Sequence, residues 1–337
     1  MIHRMARVLR TLALAFAVIL ITAAPAAADS AGPSDFRSEV TGIVPDVDGV
    51  TAEIRGGDSF LEVTVDEGHT VIIQGYQGEP YLRFQPDGTV ERNRLSTATY
   101  LNNSRKGKTA IPASVTAAGP DAEPQWETIG DGGTYAWHDH RVHWMDDSSP
   151  SVARGETVPG AYDPWKVPIV VDGAPAEVQG ILVYENSVSA LPYMGLAVIV
   201  AGLLGFYGRK AGLRLAAALL AVVSLAAIWV GQADYASTPG GGNPLHWALA
   251  TVAFVTAVGA VILAKRRVGV VLALASVASL SGWALFRIQV LFKPVLPTDL
   301  PFPVDRTTVA IALGVSVAAA YLTMTSGVLT LPTLDDD

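Results

Sequence analysis

The pattern of apolar and polar positions divides the chain in two. Between residues 51 and 184 apolar and polar side chains alternate in short runs, each bounded by Gly, Pro or Asp. Phe60-Leu-Glu-Val-Thr-Val65 lies between Gly56-Gly57-Asp58 and Glu67-Gly68, and another run starts at His69 and ends at Gln74. Runs 81–84 and 89–92 flank Pro86-Asp87-Gly88, and runs 167–171 and 176–184 flank Asp172-Gly173. A period of two broken by turn residues predicts strands joined by tight turns. Many such short strands predict an all-β, sandwich-like domain. No amphipathic helix is predicted between 40 and 188, and the Ala-, Gly- and Pro-rich stretch 112–124 is predicted to be a loop.

Beyond residue 188 the alternation gives way to five apolar segments: Leu191–Tyr207, 215–231, 245–264, 268–286 and 307–325. Each approaches the roughly 20 residues that cross a hydrocarbon core, so an α-helical membrane domain of about five transmembrane helices is expected. The link with Arg209, Lys210 and Arg214 is basic, as is Lys265-Arg266-Arg267, whereas 232–243 has no Lys or Arg. The positive-inside rule puts the basic links in the cytoplasm and the large domain outside. Arg287, Lys293 and Arg306 in the last outer loop run against that rule, although Asp299 and Asp305 accompany them. None of the five segments contains Asp, Glu, Lys or Arg, which argues against a proton-coupled pump. His246 is expected at the membrane interface. Ala197, Ala201 and Gly205 recur every four residues and suit close helix packing within the bundle.

At the other end, Arg4, Arg7 and Arg10, the apolar stretch 12–24 and Ala26-Ala27-Ala28 have the layout of a cleaved secretory signal; a retained first helix is the alternative. The expected organisation is a signal peptide over 1–28, an extracytoplasmic β domain over 29–188, the membrane domain over 189–327 and an acidic cytoplasmic tail over 328–337.

Composition narrows the function. Charged residues make up only 16% of the 337, against about a quarter in soluble proteins. Cysteine is absent, which removes disulfides, thiol catalysis, zinc–thiolate sites and blue copper. Residues 29–190 hold 25 acidic and 11 basic side chains. This excess disfavours nucleic acid as a partner; the expected partners are the lipid bilayer and an envelope protein. Arg92, Arg94, Arg105, Lys106 and Lys108 form the densest basic patch, read as a solvated loop or a surface for headgroups or an acidic partner. No nucleophile motif, paired catalytic carboxylates or phosphate-binding Gly loop stands out, so an enzyme is the least supported class.

The most unusual segment is Tyr135-Ala-Trp-His-Asp-His-Arg-Val-His-Trp-Met145, which holds three of the six histidines within six residues. Imidazole and thioether together suit copper. In an extended strand His138 and His140 would share a face, with His143 or Met145 completing a metal site if a bulge follows Arg141. The alternative is that the rings pack structurally.

This segment, with Ser34-Asp-Phe-Arg-Ser38, Gly75-Tyr-Gln-Gly-Glu-Pro-Tyr81, Asp87-Gly-Thr-Val-Glu-Arg-Asn93 and Lys293-Pro-Val-Leu-Pro-Thr-Asp-Leu300, resembles a family of uncharacterised actinobacterial envelope membrane proteins. The resemblance implies an exported domain followed by membrane helices, and no activity. The layout is also loosely similar to periplasmic copper-resistance proteins, without their early histidine. Two functions are therefore expected: a membrane-anchored extracytoplasmic binding or scaffold protein, or a copper-handling protein that uses His138, His140, His143 and Met145.

Overall fold

The computed structural model describes residues 31–210 and 212–326; the expected signal segment and acidic tail lie outside them. The first part is built from β1 (Phe36–Val44), β2 (Val50–Arg55), β3 (Phe60–Val65), β4 (Val71–Gln74), β5 (Pro80–Phe84), β6 (Val90–Asn93), β7 (Trp126–Gly130), β8 (Thr134–Trp137), β9 (Glu156–Thr157), β10 (Trp165–Val171) and β11 (Ala174–Tyr184). They form an eight-stranded sheet, in order β1-β11-β10-β4-β5-β6-β7 with β9 on β11, and a three-stranded sheet in order β2-β3-β8. All pairs are antiparallel.

Turn chemistry sets the register. Asp172 and Gly173 both have positive φ, 49° and 86°, as a two-residue type I′ hairpin turn requires. The turn pairs Val171 with Ala174 and carries that register along β10 and β11 to Trp165 and Gly180. At the second predicted hairpin, the Asp87 carboxylate accepts the Thr89 N–H at 2.9 Å and Phe84 faces Val90. Alternation then sends Leu61, Val63 and Val65 of the small sheet and Val71, Ile73, Leu82, Phe84 and Ile169 of the large one into a common core.

The predicted loop over 112–124 needs correction. Two short helices occur, α1 (Ala98–Leu101) and α2 (Ala113–Ala118). The second lies within the predicted loop, where Pro112 precedes the alanines and Gly119 ends them. Alanine is the strongest helix former, Pro is tolerated at a helix start and Gly at its end.

The remainder is helical: α3 (Leu191–Tyr207), α4 (Gly212–Ala236), α5 (Leu245–Ile262), α6 (Arg267–Phe286) and α7 (Phe302–Met324). The last four are long and apolar enough to cross a membrane, and α3 is a shorter apolar helix. The small-residue stripe of α3 packs inside the bundle: a Cβ at Gly314 of α7 would lie 2.5 Å from the Ala197 carbonyl oxygen. Two helices run past the predicted spans. As a result Asp234 lies in the last turns of α4, and Asp305 and Arg306 lie in the first turn of α7.

The sheet domain sits on the bundle end formed by the α4–α5 and α6–α7 connections. Ser34 and Val295 exchange backbone hydrogen bonds of 2.9 and 3.1 Å across the seam, and Lys293 pairs with Asp35. The connections containing Arg209 and Lys265, with Arg214 in the first turn of α4, lie at the opposite ends of the same helices.

Candidate binding site

The histidine segment begins where β8 ends. The strand stops at Trp137 and the chain turns, with the Val142 N–H donating to the Asp139 carbonyl at 3.1 Å. His138 and His140 therefore do not share a strand face, contrary to the geometry expected from sequence. Asp139 organises the turn. Its buried carboxylate accepts Trp137 Nε1 at 2.9 Å and takes a fork from Arg141, Nε at 2.8 Å and Nη2 at 2.7 Å. Burial alone would push this carboxyl up, but the Arg141 charge and these hydrogen bonds hold it below its ordinary value.

The imidazoles are used around that fork. His138 Nδ1 donates to the Ser59 carbonyl at 2.7 Å, and its ring stacks on Phe60. His140 Nε2 donates to the Ser104 carbonyl at 3.0 Å, and its ring stacks on Tyr76. His143 is fully buried, and burial with the nearby Arg105 charge pushes its ring down to about 2, so it is neutral at any ordinary pH. The Met145 carbonyl accepts Lys106 Nζ at 3.1 Å. Among the described residues no group of three or more His, Asp or Glu is arranged to hold a metal ion.

Part of the basic patch turns inward, through Arg105 and Lys106, while Arg94 and Lys108 stay exposed. Arg105 pairs with Asp58, whose carboxyl is raised because burial outweighs that arginine. Lys106 reaches the Trp144 and Asp146 carbonyls as well as that of Met145. Arg92 pairs with Glu127 at 3.3 Å.

Of these residues Phe60, Arg92, Trp137 and His138 line a cavity of about 460 Å³ at the seam between the domain and the bundle. Residues 134–138 line it on one side, Tyr81, Arg92 and Asn102 on another, and Pro239 and Gly240 of the α4–α5 connection close it. That volume falls within the roughly 300–1,000 Å³ typical of ligand pockets. Asn102 is only 7% exposed; its Oδ1 accepts the Tyr76 hydroxyl, while its Nδ2 turns toward the Tyr81 hydroxyl without closing a hydrogen bond of good geometry. Arg92 Nε is buried and has no hydrogen-bond partner among the described residues. An orphaned buried donor carries a desolvation penalty of about 1–3 kcal/mol, which a ligand acceptor would relieve. Glu62, on the small sheet, also lines the cavity. Its carboxyl is raised by burial and by the hydrogen bond that its protonated form donates to Glu53, directly opposite on β2.

A second buried polar cluster, not anticipated from sequence, caps the bundle beneath the domain. Arg287 donates to Asp234 and to Asp305, each at 2.6 Å, and contacts His246 Nδ1 at 2.5 Å. Arg306 donates to the carbonyls of Val290, Lys293 and Pro294. The three outer-loop cations that run against the positive-inside rule are thus all committed to protein partners. The sequence signal lies in the acids and bases of this loop and in Asp234 just beyond the apolar stretch of α4.

No known protein family, curated protein or solved structure matches this chain.

Proposed function

We propose that this chain is a multi-pass membrane protein of the cell envelope whose sheet domain, a two-layer sandwich outside the cytoplasm, binds a ligand in the seam cavity and is anchored by five helices. One observation carries the reading: a ligand-sized recess holds two buried donors, Asn102 Nδ2 and Arg92 Nε, that the protein leaves without a hydrogen bond of good geometry. The orientation is supported by the basic connections, which lie at the bundle end away from the domain and suit the cytoplasmic side.

The chain lacks cysteine, so single cysteines can be placed cleanly. A membrane-impermeant maleimide on intact cells should label a cysteine at Ser149 and spare one at Lys265; equal labelling overturns the orientation. For binding, the full chain in nanodiscs is probed with arrays of short peptides and of envelope-type glycans. Asn102→Ala should weaken the best ligand by about tenfold, the equivalent of one net hydrogen bond. No binding to either array overturns the reading.

A further inference from the structure

The cavity follows a strand edge. β8 is the outer strand of the three-stranded sheet, with Tyr135 opposite Val63 and Trp137 opposite Leu61. One residue before β8 begins, Gly133 accepts the Val65 N–H at 2.8 Å. In an antiparallel ladder hydrogen-bonded and non-bonded pairs alternate. Residues 133, 135 and 137 therefore bond to β3, and Thr134 and Ala136 direct their N–H and C=O groups away from it. Among the described residues neither outward-facing set has a backbone partner.

The lining of the cavity agrees with this register. Tyr135 and Trp137 project to the core side of the small sheet, while Ala136 and Glu62 project to the other, yet all four line the same recess. A space bounded by both faces of one strand runs around its free edge. Proteins usually shorten, charge or cover such edges; here a ligand-sized recess lies beside it, with Arg92 and Asn102 on one flank and Pro239 and Gly240 on the other.

We propose that an extended peptide segment of a partner protein adds to the outer edge of β8 as the fourth strand of the small sheet. The inference rests on the binding function proposed above and names its ligand class. Main-chain bonds to Thr134 and Ala136 supply the affinity, and alternate side chains supply the selectivity, as in other strand-addition complexes. The side chain that points between the sheets carries a carboxylate or carboxamide oxygen, the acceptor that Arg92 Nε and Asn102 Nδ2 lack. The next side chain points to the opposite flank, where the Glu62 carboxyl favours a hydroxyl or an amine.

The test uses the full chain in nanodiscs and the best-binding synthetic peptide from the array. Ala136→Pro removes an N–H that β3 does not use, and proline is tolerated where the N–H of an edge strand faces outward. It should weaken peptide binding by at least about tenfold, whereas Ala136→Val, which keeps the N–H, should bind within about threefold of the parent. Methylating the peptide nitrogen that faces β8 should reproduce the loss on the unaltered protein, which keeps the test decisive if Ala136→Pro fails to fold. Unchanged binding to Ala136→Pro and to the methylated peptide, with Asn102→Ala still weakened, overturns strand addition and leaves the binding function standing. Binding of glycans alone does the same. Failure of both arrays removes both proposals.

Discussion

The sheet domain and the helical bundle bury opposite kinds of residue. In the sheet domain the largest side chains are inside: Trp165, Phe84, Leu61, Ile73, Leu82 and Leu182 are almost wholly buried, and Val44 is the one large apolar side chain exposed among its described residues. In the bundle, Ala216, Ala253, Ala257, Ala312 and Ala319 fill the interior, while Leu191, Val198, Leu203, Phe206 and Val222 face outward. Water drives the first arrangement, since apolar area leaves solvent at about 25 cal/mol per Å². Hydrocarbon drives nothing comparable between helices, so small residues that allow close approach line their contacts. Charge follows the same division. The domain spreads its ion pairs over its surface and around the β8 turn, whereas the bundle concentrates Asp234, Arg287 and Asp305 at the end where the domain sits.

The sharpest way to break this comparison is to remove Arg287. Arg287→Ala leaves two buried carboxylates without their cation, and unpairing a buried charge costs about 3–5 kcal/mol. The full chain in detergent should lose most of its thermal stability. Lys166→Ala, which removes an exposed pair with Glu177, should change stability by no more than about 1 kcal/mol. Equal small losses would show that the cluster does not lock the bundle.

Next in size is a test of the two solvents with one substitution. Leu61 is wholly buried and Leu203 is 53% exposed on α3. Leu61→Ala should cost about 2–5 kcal/mol through lost transfer energy and the cavity left behind. Leu203→Ala in a lipid nanodisc should cost well under 1 kcal/mol, since the side chain faces hydrocarbon in the folded bundle and its removal exposes no apolar surface to water. Chemical-denaturation midpoints of the two variants check this. A comparable loss at Leu203 would mean that its side is packed against protein.

The division into two regions was legible because periodicity reports the local environment. Alternation located the runs that became β2–β6, β10 and β11, and continuous apolar stretches located the five helices. The binding cavity was not legible, because it is made by pairing. Ala136 acquires a free edge only through the register of β8 on β3, and Asn102, Arg92 and Gly240 meet it from distant parts of the chain. The Asp234–Arg287–Asp305 cluster was missed for a related reason. Its members are 53 and 18 residues apart, and a span defined by apolar residues ends before the polar turn that completes the helix. The histidine segment was recognised as unusual, but the strand expected to align His138 and His140 ends at Trp137.

The smallest expected effect lies within that segment and separates a neutral, packed histidine from a titrating one. His143 is fully buried with its ring held neutral down to about 2, against an ordinary value of 6.5. The unfolded chain takes up a proton near its ordinary value while the folded chain does not, so stability falls as pH drops below about 6.5. Each pH unit below that point removes about 1.4 kcal/mol, which gives a loss of about 2 kcal/mol by pH 5. His143→Asn removes the titration and should flatten the decline by that amount, even if its stability at pH 7.5 is lower. Melting temperatures of the two full-length proteins between pH 7.5 and 5 provide the comparison, and the carboxylates common to both cancel in the difference. Parallel pH profiles would mean that His143 is protonated in the folded state.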